Sequence, residues 1–128
     1  MDNIKNNYKQ TLGAFGEQVA KDYLVEHGYK IIAENFRFSR MGEIDIIAKY
    51  KDTICFVEVK TRKSTRFGTG AESIVYRKIL NIRRLAQVFI KKNSLFNTPI
   101  RFDVFDILVD KTSNELKVKS LNHIKSAF

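Results

Sequence analysis

Three residues in the stretch Gly42 to Arg62, GEIDIIAKYKDTICFVEVKTR, have the types and spacing for phosphate chemistry: Asp45, Glu58 and Lys60. Period-two alternation with β-branched residues predicts two strands here. In the first, Ile44, Ile46 and Ala48 alternate with Glu43, Asp45, Ile47 and Lys49. In the second, Ile54, Phe56, Glu58 and Lys60 share one face, while Cys55, Val57 and Val59 share the other. A turn at Lys51-Asp52, or a longer one over Tyr50 to Thr53, gives the same register and sets Asp45 opposite Glu58. Directly opposed side chains have Cβ atoms roughly 4.5–5.5 Å apart, and like charges there destabilise the sheet unless something cationic lies between them. Two carboxylates so placed form a hard-oxygen site suited to Mg²⁺ or Mn²⁺. A divalent ion would relieve the repulsion, acidify water and stabilise charge on a phosphate oxygen. Lys60 lies roughly 6–7 Å along the strand from Glu58 on the same face, close enough to orient a nucleophile or contact a phosphorane-like transition state. Two plainer readings stay open: Lys60 neutralises the carboxylates as a salt bridge, or all three residues belong to a solvated face.

The surrounding composition favours a polyanionic partner. The net charge is +9, yet residues 60–92 hold ten Lys/Arg and one acid, and the remainder has thirteen of each sign. The whole surplus therefore follows the carboxylate strands directly. Basic surface of this density attracts nucleic acid through counterion release and steering. A length of 128 residues suits one domain with a real core. A single cysteine excludes a disulfide framework or a cysteine-rich zinc site and fits a reducing compartment. No apolar run approaches the ~18 residues of a membrane span, and MDNIKNNYKQ lacks the apolar core of a signal peptide. The expectation is a soluble, cytoplasmic protein.

The elements that must position the site follow from periodicity. Leu12, Phe15, Val19 and Tyr23 predict a helix over Tyr8 to His27, ended by Gly28. Glu17 falls on the shoulder of its apolar stripe, where spacing alone pairs it with Lys21 at i+4. Tyr29 to Phe38 reads as a strand and Ser39 to Gly42 as a turn. The loop KSTRFGTG leads to Thr69-Gly70-Ala71-Glu72, which has capping-box spacing. A helix is expected over Glu72 to Asn93, with Val75, Ile79, Ile82, Ala86 and Phe89 buried. Arg77, Arg84 and Lys91 form a basic ridge on its other side, and Lys78 lies near the apolar edge, able to reach inward. Strands over Ile100 to Val109 and Leu116 to Leu121 follow, joined by a turn at Asp110 to Asn114, and the tail HIKSAF reads as a final helical turn. The order α, β, β, β, α, β, β predicts a mixed sheet with helices packed on it. Cys55 reads as a small packed hydrophobe, and His27 as part of a helix end.

Asp45, twelve intervening residues, then Glu58-Val59-Lys60 resembles the core of the PD-(D/E)XK nuclease superfamily. GEIDIIA followed by FVEVKTR, with GEQVA upstream on the first helix, is similar to the archaeal Holliday junction resolvases. Nearly the whole chain resembles the YraN-like family of small bacterial proteins, through RFGTGAES, Lys78, RFDVFDI at Arg101 to Ile107 and the terminal HIKSAF. The resemblance implies an α/β fold: a PD-(D/E)XK, restriction-endonuclease-like core with a central mixed β-sheet flanked by helices. It implies that Asp45, Glu58 and the Val59 backbone carbonyl hold Mg²⁺ or Mn²⁺, that Lys60 is the catalytic lysine, and that Glu17 completes the carboxylate cluster. Ile44 stands where the superfamily name has proline.

The expected activity is metal-dependent hydrolysis of phosphodiesters in DNA, branched or structured DNA in particular, with DNA ahead of RNA as partner. Lys63, Arg66, Arg77, Lys78 and Arg84 are the candidate phosphate contacts. Analogy with the resolvases adds a homodimer. The alternative is a non-catalytic nucleic-acid-binding module on a nuclease fold, which predicts salt-sensitive binding without cleavage. A third reading, a protein-interaction domain meeting an acidic partner, predicts no affinity for nucleic acid.

Overall fold

In the computed structural model, which describes residues 11–63, 76–112 and 115–128, helix α1 spans Leu12–Glu26, β1 Lys30–Arg37, β2 Glu43–Tyr50 and β3 Thr53–Arg62. Helix α2 spans Tyr76–Lys92, followed by β4 Ile100–Thr112 and β5 Glu115–Ile124. Thr11 caps α1 by accepting the Ala14 N–H at 3.0 Å. Gly28, at φ +89°, ends the turn that follows His27. The strands form one sheet in sequence order, β1-β2-β3-β4-β5. Only β3 and β4 run parallel. Parallel neighbours need a long crossover, and α2 lies within it. No helix among the described residues is long and apolar enough to cross a membrane.

The helices cover opposite faces. Ala20 and Leu24 of α1 pack with Ile46, Ala48, Cys55, Val57, Phe105 and Ile107. Ile82, Leu85, Ala86 and Phe89 of α2 pack with Ile44, Ile47, Ile54 and Phe56. Neighbouring β3 residues thus enter different layers, as a strand buried on both sides requires. The result is an α/β fold with a five-stranded mixed sheet between two helices.

Several boundaries differ from the pattern reading. Ile44 joins the α2 layer, whereas Ile46 and Ala48 lie under α1. The buried stripe of α2 is Ile82, Leu85, Ala86 and Phe89, so Leu85 joins it while Ile79 is only half-buried; Val75 and the Thr69–Glu72 capping box lie outside the described residues. Strand β4 runs through Thr112, beyond the turn expected from Asp110, and β5 runs to Ile124. The expected helical tail is therefore a strand end followed by a turn. The cause is Asp103, fully buried on the α1 face. It accepts bonds from Arg101 (Nη2 to Oδ2, 2.8 Å) and from the Ser126 N–H at 3.1 Å, and pairs with His123 Nε2 at 2.8 Å. A buried carboxylate needs such partners, and meeting that need binds the C-terminal segment to β4. Despite burial, these bonds hold the Asp103 carboxyl below the usual range.

Gly16 fixes how closely α1 approaches the sheet. A Cβ placed there would overlap the Thr61 hydroxyl and come within 2.8 Å of Thr61 Cβ, whereas one on Gly13 meets nothing within 4 Å. The two glycines therefore separate helix propensity from packing. Gly13→Ala should leave stability unchanged or raise it by up to about 1 kcal/mol. Gly16→Ala should lower it by about 1–3 kcal/mol as α1 is forced off β3. Urea midpoints of the two variants check this, and equal midpoints would contradict it.

Candidate metal centre

The β2–β3 hairpin turns at Lys51-Asp52, with Lys51 at φ +53°. Its register, Tyr50↔Thr53 through Ile46↔Val57, is the one that the alternation predicts. One further step would set Asp45 against Glu58, but the ladder stops short of it. There the Asp45 side chain takes over: its Oδ2 accepts the Val59 N–H at 2.8 Å. The strands fork at this point, and groups from both layers can converge where continuous pairing would have kept them on separate faces.

From the α1 side comes Glu17, one residue after the Gly16 contact. Glu17, Glu43 and Asp45 each bring a carboxylate oxygen within 4.8 Å of the others. Glu43, at the start of β2, is a residue that the pattern reading did not single out. Asn35 ties it to Glu17, donating to Glu43 Oε2 at 2.8 Å and Glu17 Oε1 at 3.3 Å. Asn35 does so from φ +49°, a conformation asparagine tolerates better than most residues. That tolerance is the one sequence signal for it. Arg37 pairs with Glu43 at 2.6 Å. The expected Glu17–Lys21 pair gives way to a different one, because Lys21 reaches across to Glu34 at 2.7 Å.

From the α2 side comes Lys78, whose ammonium pairs with Glu58 Oε2. Glu58 is 3% exposed. Its Oε1 is buried with no hydrogen-bond partner among the described residues. Burial and the neighbouring Glu58 charge push the Asp45 carboxyl up to about 8, against the Val59 hydrogen bond and with a smaller contribution from Glu17. Lys60, on the Glu58 side of β3, is held below its usual value by burial and by the charge of Lys78 beside it. Burial opposes the charge of Lys78 too, but its bond to Glu58 and the charges of Glu58 and Asp45 outweigh that, and its value rises.

The cluster opens onto two grooves lined by cations. One of about 270 Å³ is bounded by Met41, Gly42, Glu43, Arg77, Lys78 and Asn81. Another of about 370 Å³ is bounded by Arg37, Ser39, Arg40, Gly42 and Glu43. Arg77 and Arg84 are exposed on α2, and Lys63 is exposed just past β3. Arg66 lies outside the described residues. Cys55 is buried in the α1 layer, and burial raises its thiol to about 11, which fits a packed hydrophobe.

The donor set fits a divalent cation. Glu17, Glu43 and Asp45 bring carboxylate oxygens together. Glu58 lies outside that group, but its buried Oε1 has no partner among the described residues, and Asp45 would gain a counter-charge where its ionised form is now disfavoured.

The chain matches the family model described as "Uncharacterised protein family UPF0102" over residues 16–107, which include Glu17, Asp45, Glu58, Lys60 and Lys78. It is 46% identical over 124 residues to a UPF0102 protein of Acetivibrio thermocellus, covering 97% of this chain and 95% of that one. With a UPF0102 protein of Caldicellulosiruptor bescii the identity is 50%, with 95% and 99% covered. With one of Syntrophomonas wolfei it is 44%, with 91% and 96% covered.

A carboxyl raised from 3.8 to about 8 binds a proton in the folded chain that the unfolded chain releases. Its contribution to stability is complete below pH ~4 and is lost as pH rises through about 8. Without divalent cations, wild-type Tm should fall more steeply than that of Asp45→Asn between pH 5 and 8.5. Adding Mn²⁺ at pH 8.5 should restore the wild type but not the variant. Parallel Tm profiles would contradict this account of Asp45.

Proposed function

The chain belongs to the uncharacterised family UPF0102, and we propose that it is a divalent-metal-dependent endonuclease that hydrolyses phosphodiester bonds in DNA, with branched or structured DNA as the preferred class. The observation that carries this reading is the acidic cluster of Glu17, Glu43 and Asp45 at the β2–β3 fork, with the Glu58 charge acting on Asp45 from β3. Asp45 is bonded to the Val59 amide, the buried Glu58 has an oxygen without a partner among the described residues, and Glu17 and Glu43 close the acidic side. The finer architecture we assign is a PD-(D/E)XK core. Its support is the αβββαβ order with a parallel β3–β4 pair, and Asp45 and Glu58-x-Lys60 on adjacent strands.

In this reading Asp45, Glu58 and the Val59 carbonyl hold Mg²⁺ or Mn²⁺, with Glu17 completing the set. When bound, the ion supplies Lewis-acid stabilisation of phosphate charge and an acidified water. The chain's own residues supply the rest. Gly16 lets α1 sit close enough to bring Glu17 to the fork. Asn35 and Arg37 hold Glu43 in place. Lys60 orients the attacking water and stabilises charge on the reacting phosphate. Arg77, Arg84 and Lys63 bind flanking phosphates, where each contact steepens the salt dependence of binding.

Duplex, flap and four-way DNA, each incubated with Mg²⁺ or Mn²⁺, test the proposal. Wild type should cleave at least one of them, and EDTA should stop it. Glu58→Gln and Lys60→Ala should each slow cleavage by roughly 10²-fold or more while retaining DNA binding. Cleavage unaffected by both substitutions would reject the assigned site. Salt-sensitive binding with no cleavage in either metal would identify a binding module instead.

A further inference from the structure

Among the described residues Asp103 and Glu58 are the buried carboxylates, and they are treated differently. Asp103 has both oxygens satisfied, by Arg101, by His123 and by the Ser126 amide. Glu58, at 3% exposure, has one partner on Oε2 and none on Oε1 among the described residues. That partner is a lysine whose side chain is 40% exposed. It also lines the 270 Å³ groove with Glu43 and Arg77. Arg101 grips Asp103 as a fixed fork through Nε and Nη2. Lys78 is a compact point charge on a flexible four-carbon stem, with open groove beside it.

A buried charge without a partner is strongly destabilising, so an ionised Glu58 needs a cation beside it. One ammonium on one oxygen meets that need incompletely. We infer that Lys78 is a removable internal counter-ion: it neutralises Glu58 in the metal-free protein, yields the carboxylate to a divalent cation, and then presents its ammonium to phosphate in the groove. This rests on the metal-site reading above. It gives Lys78 two seats, on Glu58 and in the groove, and makes filling the metal site the event that moves it from one to the other. A ligand that must displace a resident cation binds with an affinity reduced by the population of the displaced state. Metal binding should accordingly be weakened by the very residue that aids phosphate binding.

Titration calorimetry with Mn²⁺ alone, on the full chain without DNA, tests this on wild type, Lys78→Met, Lys78→Gln, Lys78→Arg and Glu58→Gln. Removing the ammonium in Lys78→Met or Lys78→Gln should tighten Mn²⁺ binding by about tenfold or more, whereas Lys78→Arg should stay close to wild type. The metal-free Tm of Lys78→Met should fall, and Mn²⁺ should raise it by more than it raises wild type; Lys78→Gln carries the test if the methionine variant folds poorly. Equal or weaker Mn²⁺ binding in both neutral variants, with binding lost in Glu58→Gln, would overturn the counter-ion role and leave the metal site standing. No Mn²⁺ binding by wild type or by either neutral variant would remove the metal site and this inference together.

Discussion

The site depends on one hydrogen bond, from the Val59 amide to the Asp45 carboxylate. Up to Ile46↔Val57 the hairpin is an ordinary antiparallel ladder, bonded backbone to backbone. Beyond it a side chain takes the place of the missing strand partner, and β3 continues paired only with β4. Leaving this half-buried amide unpaired would cost up to about 1–3 kcal/mol, so the carboxylate has a structural role at the fork. Ionised Asp45 accepts that bond better than the protonated form, yet burial and Glu58 favour the proton. A divalent cation would remove the conflict by favouring the charge in both respects.

Charge balance extends outward from the fork. Four carboxylates (Glu17, Glu43, Asp45 and Glu58) are met by Arg37 on one side and Lys78 on the other, with Lys60 on the strand between. The arrangement is layered: acids in the cleft, cations along its walls in both grooves. Acids at the centre suit a metal, and cations at the rim suit a polyanion arriving from solvent. A mainly structural salt-bridge network would pair its buried oxygens as fully as Asp103 does. Glu58 departs from that standard, and it does so at the position where the chemistry is proposed.

Much of this was legible in the chain because period-two alternation is a strong signal. The hairpin register, the Lys51-Asp52 turn, the two faces of β3 and the inward reach of Lys78 all follow from side-chain parity and helix period. The parts that were not legible depend on tertiary contacts. Ile44 leaves the parity of its strand where β2 parts from β3. Glu43 looks like an ordinary solvated strand residue until Asn35, from a neighbouring strand and a left-handed conformation, turns toward it. The strand end at the tail is not legible because nothing local marks His123 and Ser126 as partners of a carboxylate about twenty residues earlier. A clue did exist in Arg101 and Asp103, a charged pair at i, i+2 on an otherwise apolar strand face. A buried acid there demands donors from elsewhere in the chain.

The central claim is that the β2–β3 fork is a divalent-cation site, and anomalous diffraction from crystals soaked in Mn²⁺ tests it most directly. The account predicts one dominant anomalous peak within about 2.0–2.3 Å of oxygens from Asp45, Glu58 and the Val59 carbonyl, with Lys78 withdrawn from Glu58. A fork without an anomalous peak at saturating Mn²⁺, with Lys78 still seated on Glu58, would contradict it.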